Sequence, residues 1–129
     1  MQPYAAGSEF KIEFWEENGE CPALDFLKAL QKGSKGEKAA AAKLDRLLQS
    51  FASHGKPSGE ERCHYLDGKN IVFELKAQRQ TQRLVGFYHP CERKVVIFSH
   101  GFDKPAGNKG YRPEIERAEA IRNLLLSSD

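Results

Sequence analysis

The fold is decided by residues 70–100, which read NIVFELKAQRQTQRLVGFYHPCERKVVIFSH. Three β-type runs occur in this stretch, at Asn70–Ala77, Arg83–Tyr88 and Lys94–His100. The first run alternates apolar and polar side chains, whereas the last contains the continuous apolar run Val95–Phe98, which is typical of a central strand covered on both faces. Because the connections between the runs are short, we expect three consecutive antiparallel strands.

A strand and two helices are predicted before this stretch. Phe10, Ile12 and Phe14 alternate with polar residues, which indicates a half-buried strand. Pro22 suits the first position of a helix, and a second helix is expected over about residues 37–53, because apolar residues recur every three or four positions in both segments. The short Gly/Ser/Lys link between them predicts an antiparallel helical hairpin that packs on the sheet.

Two further segments complete the expected element order. A strand is predicted at Arg62–Leu66, and a last helix begins at Pro113. The order β-α-α-β-β-β-β-α predicts an α+β fold with a mainly antiparallel sheet. With 129 residues, 40% of them hydrophobic, the chain can bury one compact core, so we expect a single domain over residues 10–129. Residues 1–9 lack periodicity and are expected to form a disordered or cloning-derived leader.

Composition excludes several classes of protein. No run approaches the roughly 18 apolar residues of a membrane-spanning helix, and the N-terminus lacks the pattern of a signal peptide, so we expect a cytoplasmic protein without a membrane partner. The three cysteines are an odd number without CxxC spacing, which predicts free thiols rather than a disulfide framework. We expect no metal and no cofactor, because the spacing of the Cys and His residues fits no known zinc pattern. These residues are Cys63, Cys91, His54, His64 and His89.

Charge is distributed unevenly along the chain. The net charge is only +2, yet residues 62–112 carry ten basic and four acidic residues, whereas residues 1–20 carry one basic and five acidic residues. A basic segment that also contains aromatic residues predicts a surface for a polyanion such as RNA. The alternative is that the excess charge is simply a solvated face.

Several separated motifs occur in the order found in one known family. They are Leu66-Asp67-Gly68, Phe73-Glu74-Leu75-Lys76, Arg83-Leu84-Val85 with Phe87-Tyr88, Val95 to Phe102 with Lys104, and Glu114-Ile115 with Ala118. Taken together, they resemble the RelE/ParE toxin superfamily, and within it the phage-derived, HigB-like branch. The resemblance covers residues 62–122.

The resemblance implies a RelE-like fold and the toxin of a bacterial type II toxin–antitoxin system. Such a toxin is a ribosome-dependent endoribonuclease that cuts messenger RNA, and it is held inactive by a cognate antitoxin, often a helix-turn-helix protein. A minority branch inhibits DNA gyrase instead. The alternative function is therefore a non-enzymatic binder of the same fold, either a gyrase inhibitor or a catalytically degenerate relative. Two departures favour this alternative: Lys76 replaces the usual Arg, and Pro105 follows Lys104 where a second Lys is common.

Metal-independent cleavage of RNA needs three kinds of group. The 2′-hydroxyl must lose a proton, the pentavalent phosphate must be stabilised by cations, and the leaving 5′-oxygen must gain a proton. With the resemblance, the predicted catalytic residues are Arg83, His100, Lys104 and Tyr111. The predicted RNA- or phosphate-binding residues are Lys76, Arg79 and Lys109.

Each of these residues also has a structural alternative. His100 ends an apolar strand, where a histidine is more often a structural residue hydrogen-bonded to the backbone than a catalytic one. Tyr111 lies just before a helix and could close the edge of the core. Arg83 is expected to be an exposed cation at the end of a strand, with a guanidinium that can hold two phosphate oxygens. We further expect Arg79, Arg83, Lys104 and Lys109 to share one exposed face.

Overall fold

The computed structural model describes residues 1–77, 81–104 and 111–127. Its elements, in chain order, are β1 Gln2–Ala6, β2 Lys11–Phe14, α1 Pro22–Gln31, α2 Lys35–His54, β3 Cys63–Tyr65, β4 Phe73–Lys76, β5 Gln82–Tyr88, β6 Val95–Asp103 and α3 Arg112–Leu126. The expected α+β class is confirmed.

The strands form one sheet in the order β1-β2-β6-β5-β4-β3. Strands β4, β5 and β6 pair antiparallel with one another, which confirms the three consecutive antiparallel strands expected within residues 70–100. Strand β2 pairs with β6 in the parallel direction, whereas every other pairing among the described strands is antiparallel. The central position of β6 agrees with its continuous apolar run.

The expectation of a disordered leader is wrong for the first residues of the chain. Gln2–Ala6 forms the edge strand β1, which pairs antiparallel with β2. The ring of Tyr4 stacks on Phe14 at 4.5 Å, and the Tyr4 hydroxyl donates a hydrogen bond to Asp45 of α2. The strand therefore depends on partners that are distant in sequence, and for this reason residues 1–9 show no periodicity of their own.

Local sequence signals explain where both helices of the predicted hairpin begin. Pro22 occupies the first turn of α1, where a missing backbone N–H is tolerated, and Ala23, Leu27 and Leu30 form its buried stripe. Helix α2 begins with a capping box: the Ser34 side chain accepts a hydrogen bond from the backbone N–H of Glu37, and the Glu37 carboxylate accepts one from the backbone N–H of Ser34.

The helices cover the two faces of the sheet differently. Helices α1 and α2 pack on one face over an aromatic cluster that includes Phe51, Phe73 and Phe98. Helix α3 packs on the other face against β5 and β6, where Ala118 and Ile121 are its buried residues. Among the described residues, no helix is both long and apolar enough to cross a membrane.

Candidate active site

The register of the strands gathers polar side chains on the face that carries α3. His64 of β3 lies opposite Glu74 of β4, and Lys76 of β4 lies opposite Arg83 of β5. Directly paired residues, and residues two apart on one strand, point to the same face of a sheet. These four side chains therefore share one face, and α3 begins beside them after Tyr111.

Glu74 is the centre of this group. Its side chain is 0% exposed, and neither carboxylate oxygen has a hydrogen-bond partner within the described parts of the chain. Its Oε1 atom lies 3.4 Å from His64 Nε2 and 3.7 Å from Arg83 Nε. A buried carboxylate that relies on ion pairs alone is uncommon, because burial penalises a charge that is not also hydrogen-bonded.

The protonation of Glu74 is shifted by its surroundings. Burial raises the pKa of its carboxyl group above the ordinary value, and the charges of Arg83, Lys76 and Lys104 oppose this rise without cancelling it. Glu74 therefore holds a proton more readily than an exposed glutamate does, and a carboxyl group shifted in this direction is a candidate for proton transfer.

Arg83 is buried, contrary to the expectation of an exposed strand end. Its side chain is only 8% exposed, and its Nη1 donates a hydrogen bond of 3.0 Å to the backbone oxygen of Gln82. The reason is that β5 and β6 continue past Arg83 to the pair formed by Gln82 and Asp103, whose side chains are joined by a hydrogen bond of 2.8 Å. Arg83 thus lies inside the sheet rather than at its end.

Tyr111 connects the start of α3 to this group. Its hydroxyl takes part in a hydrogen bond with Arg83, and its ring packs edge-on against Phe102 at 5.8 Å. Burial and the nearby Glu74 raise the pKa of the Tyr111 hydroxyl, while Arg83 opposes the rise. The phenol is therefore protonated at neutral pH. Tyr111 packs at the edge of the core, as the structural alternative predicted, and it also reaches the polar group.

His64 is the partly exposed member of the group. Its ring approaches Glu74 from the edge strand β3, and its side chain stays partly open to solvent. Burial lowers the pKa of the His64 imidazole, and the positive charge of Lys76 lowers it further. The imidazole is therefore neutral in most molecules at pH 7.

His100 is a buried residue whose ring partners are side chains rather than the backbone groups that the structural alternative named. It is 1% exposed, its Nδ1 lies 2.8 Å from Ser99 Oγ, and its Nε2 lies 3.0 Å from Glu114 Oε1 of α3. Burial lowers the pKa of His100 to about 4, and Arg117 contributes to the lowering. Both ring nitrogens are occupied by protein partners, so His100 holds α3 onto β6 as a neutral residue.

The predicted residues are therefore only partly brought together. Lys76, Arg83 and Lys104 lie close enough to Glu74 to lower the pKa of its carboxyl group, and Glu74 in turn raises the pKa of the Tyr111 hydroxyl. Arg79 and Lys109 fall outside the described residues, and Arg83 is buried, so the expected exposed face of four cations is not observed among the residues that the structure describes.

Sequence reasoning missed Glu74 and His64 as members of the site. The available signal for Glu74 was an acidic residue in the middle of an apolar strand, where Glu is depleted and is rarely buried without a partner. His64 carried no comparable signal, because its role depends on which strand pairs with β4. In the described ranges no group of three or more His, Cys, Asp or Glu side chains is placed to hold a metal ion.

Comparison with known proteins gives a family match and a similar solved structure. No curated protein matches the chain. The structure of the YoeB dimer from Staphylococcus aureus is similar with a TM-score of 0.52 and 17% sequence identity, over 78% of this chain and 100% of that chain. At this identity the likeness concerns the fold alone.

The family comparison covers most of the chain. The model described as "Phage derived protein Gp49-like (DUF891)" matches residues 25–123, a range that includes β3 to β6, most of α3 and every described residue of the polar group. The family match and the similar fold agree with the resemblance to the RelE/ParE superfamily, but they do not distinguish its branches. The chain belongs to the phage-derived, Gp49-like family.

Proposed function

We propose that the protein is the toxin of a type II toxin–antitoxin system and acts as a metal-independent endoribonuclease. The observation that carries the proposal is the Glu74 carboxylate, which is fully buried, lacks a hydrogen-bond partner within the described residues, and lies among the cations Arg83, Lys76 and Lys104 on the face of the sheet that carries α3. A raised carboxyl pKa beside guanidinium and ammonium groups suits proton transfer at a phosphodiester.

Glu74 is the general base in this proposal. Because Glu74 is covered in the free protein, RNA binding must first displace side chains that cover it. Its ionised form then accepts the proton of the ribose 2′-hydroxyl, and the 2′-oxygen attacks the adjacent phosphorus. The raised pKa makes Glu74 a stronger base than an exposed carboxylate once it is ionised. His64, at 3.4 Å from the same carboxylate oxygen, orients this group and has one edge open to solvent.

The cations stabilise the pentavalent phosphate. Arg83 has a fixed position, since it is held by the Gln82 backbone oxygen and lies beside Glu74. Lys76 and Lys104 both lower the pKa of Glu74 and add positive charge near it. We extend this role to Arg79 and Lys109 on the strength of the sequence resemblance. Preorganised cations at such a site typically contribute a factor of roughly 100 or more each to the rate.

Tyr111 protonates the leaving group. As the bond between phosphorus and the 5′-oxygen breaks, the phenol supplies its proton to that oxygen, which leaves as a hydroxyl. The products are a 2′,3′-cyclic phosphate and a 5′-hydroxyl end, and solvent returns Glu74 and Tyr111 to their starting protonation states. His100 takes no part in this reaction, because both of its ring nitrogens are engaged within the protein.

The partners of the toxin follow from the resemblance. We propose messenger RNA on the ribosome as the substrate, a cognate antitoxin with a helix-turn-helix domain as the inhibitor, and the cytoplasm as the site of action. We also place the chain in the HigB-like branch on the motifs quoted above. No cofactor is required by the proposed reaction.

Induced expression in a bacterial host tests the proposal. Wild-type protein is expected to arrest translation rapidly, with messenger RNA ends that carry a 2′,3′-cyclic phosphate and a 5′-hydroxyl. Glu74→Gln should abolish the arrest, whereas Glu92→Gln, at an exposed loop position, serves as the matched control and should retain it. Filamentation and DNA damage with intact messenger RNA would contradict the nuclease and favour the gyrase-inhibiting alternative.

A further inference from the structure

A second basic surface lies outside the polar group around Glu74. It is a cavity of about 460 Å³ between the C-terminal half of α2 and the segment that leads to β3. Its lining contains no Asp or Glu among the described residues. The basic residues that line it, called here the basic band, are Lys43, Arg46, His54, Lys56 and Arg62.

The positive charge of the basic band has no internal counter-charge. None of its five side chains forms an ion pair with an acidic residue in the part of the chain that the structure describes. On α2, Lys43, Arg46 and His54 follow helical spacing, so they share a face. Like charges so placed repel one another, and an anion bound between them relieves that repulsion.

The basic band is continuous with the candidate active site. The backbone N–H of Lys76 donates a hydrogen bond of 2.8 Å to the backbone oxygen of Arg62, so Arg62 extends β3 by one residue opposite Lys76. Lys76 in turn lies opposite Arg83. Neighbouring strands are roughly 4.8 Å apart, so these three cations form a short row from the site to the edge of the sheet.

A second cavity joins the same two regions. It is about 440 Å³ in volume, and both Lys56 of the basic band and His64 of the polar group line it. The Lys56 ammonium lies 5.2 Å from the ring centre of Tyr65, which holds this side chain at the junction. A strand of ligand that leaves Glu74 past His64 therefore meets Lys56 and then the rest of the basic band.

We propose that the basic band binds the phosphate backbone of single-stranded RNA that leaves the active site around the edge strand β3 and continues along α2. The proposal rests on the proposed nuclease function and adds to it a second contact region remote from the scissile bond. Cations with adjacent hydroxyls, here those of Ser50 and Ser58, are suited to phosphates. Such contacts fix the position of the strand without reading its bases.

Binding of uncleavable RNA of two lengths tests the proposal. We would measure the fluorescence anisotropy of labelled 2′-O-methyl oligouridine, as a trimer and as a dodecamer, over a range of salt concentrations. The variant is Lys43→Gln with Arg46→Gln, and the matched control is Lys28→Gln with Lys32→Gln on the exposed surface of α1. Both double variants remove the same charge.

The Lys43/Arg46 variant should bind the dodecamer at least tenfold more weakly than the control does. The slope of log affinity against log salt concentration should become shallower by about 1.4, because two phosphate contacts are lost and each contact with a single strand contributes about 0.7 to the slope. The affinity of the variant for the trimer should equal that of the control, because the trimer occupies the active site alone and does not reach the basic band.

Three results would overturn the proposal. The first is that the variant and the control bind the dodecamer with equal affinity, and the second is that the variant binds the trimer and the dodecamer more weakly by the same factor. The third is that the variant binds RNA normally and loses binding only to an acidic protein segment, such as one from the antitoxin. Because the RNA is uncleavable, the assay does not depend on catalysis. If the protein is not a nuclease, wild-type protein should leave unmodified RNA intact. This result is independent of the binding assay, so failure of the nuclease proposal can be distinguished from failure of the basic-band proposal.

Discussion

Glu74 of β4 and Arg83 of β5 lie diagonally across the strand pair with Oε1 and Nε 3.7 Å apart, and neither side chain is more than 8% exposed. Both charges are removed from water, and the carboxylate depends on charge pairing alone among the described residues. Such a pair contributes little to folding, because desolvation offsets the attraction. Its presence in the interior of the sheet is therefore better explained by chemistry than by stability.

Glu74→Gln should remove a pH dependence of stability. The folded pKa of Glu74 is raised by burial, so the folded protein binds the proton more tightly than the unfolded chain does. The stability that this proton supplies is complete below the ordinary glutamate pKa and is lost as pH rises through the folded pKa. Urea unfolding between pH 4 and pH 8 should show a decline in the wild type that is smaller in the variant. A variant with the same decline would contradict the raised pKa.

Arg83→Ala should inactivate the protein and also destabilise it. Loss of the guanidinium leaves Glu74 without its nearest strong cation, and breaking a buried pair typically costs about 3–5 kcal/mol. Protonation of Glu74 relieves part of this cost, so the destabilisation should be smaller at pH 5 than at pH 8. Denaturant unfolding at the two pH values measures this difference.

The double variant Arg83→Ala with Glu74→Gln controls for this interpretation. It should be more stable than Arg83→Ala alone at pH 8, because the uncompensated charge is gone. Growth arrest at wild-type potency by folded Arg83→Ala protein would show that the guanidinium has no role in the reaction.

Tyr111→Phe should slow cleavage by a factor of roughly 100 to 10,000, which is the usual contribution of a general acid. The ring contact with Phe102 is kept, so the fold should be preserved. A substrate in which sulfur replaces the bridging 5′-oxygen needs no protonation to leave, and its cleavage should be nearly unaffected by the substitution. Equal losses on both substrates would assign Tyr111 to binding rather than proton donation.

His100 should make the fold sensitive to mild acid. Its pKa is lowered by burial to about 4, so the unfolded chain binds a proton first as pH falls below about 6.5. Stability is therefore present above the unfolded pKa and is lost between about pH 6.5 and pH 4, by an amount on the order of 3 kcal/mol.

His100→Gln should remove this acid-dependent loss and retain RNA cleavage. Thermal unfolding at pH 7 and pH 4.5, together with a cleavage assay, distinguishes this structural role from a catalytic one. Loss of cleavage in a variant of normal stability would restore the catalytic hypothesis for His100.

The strands and helices were largely predictable because their signals are local. The continuous apolar run at Val95–Phe98 marks the central strand β6, and the stripe on residues 37–53 marks α2. The edge strand β1 was not predictable in this way. Its residues are weakly apolar, and they form a strand because the Tyr4 ring stacks on Phe14 and the Tyr4 hydroxyl donates a hydrogen bond to Asp45.

The candidate site was also only partly predictable from the sequence. The residue types Lys76, Arg83, Lys104 and Tyr111 could be selected from the sequence, because RNA cleavage needs cations and a proton carrier and the family motifs contain them. The sequence alone thus determined the described strands other than β1 and the chemistry that the chain can supply. Only the tertiary structure decided that Glu74 is buried among those cations, since a carboxylate's environment depends on strand register and on contacts between residues far apart in the chain.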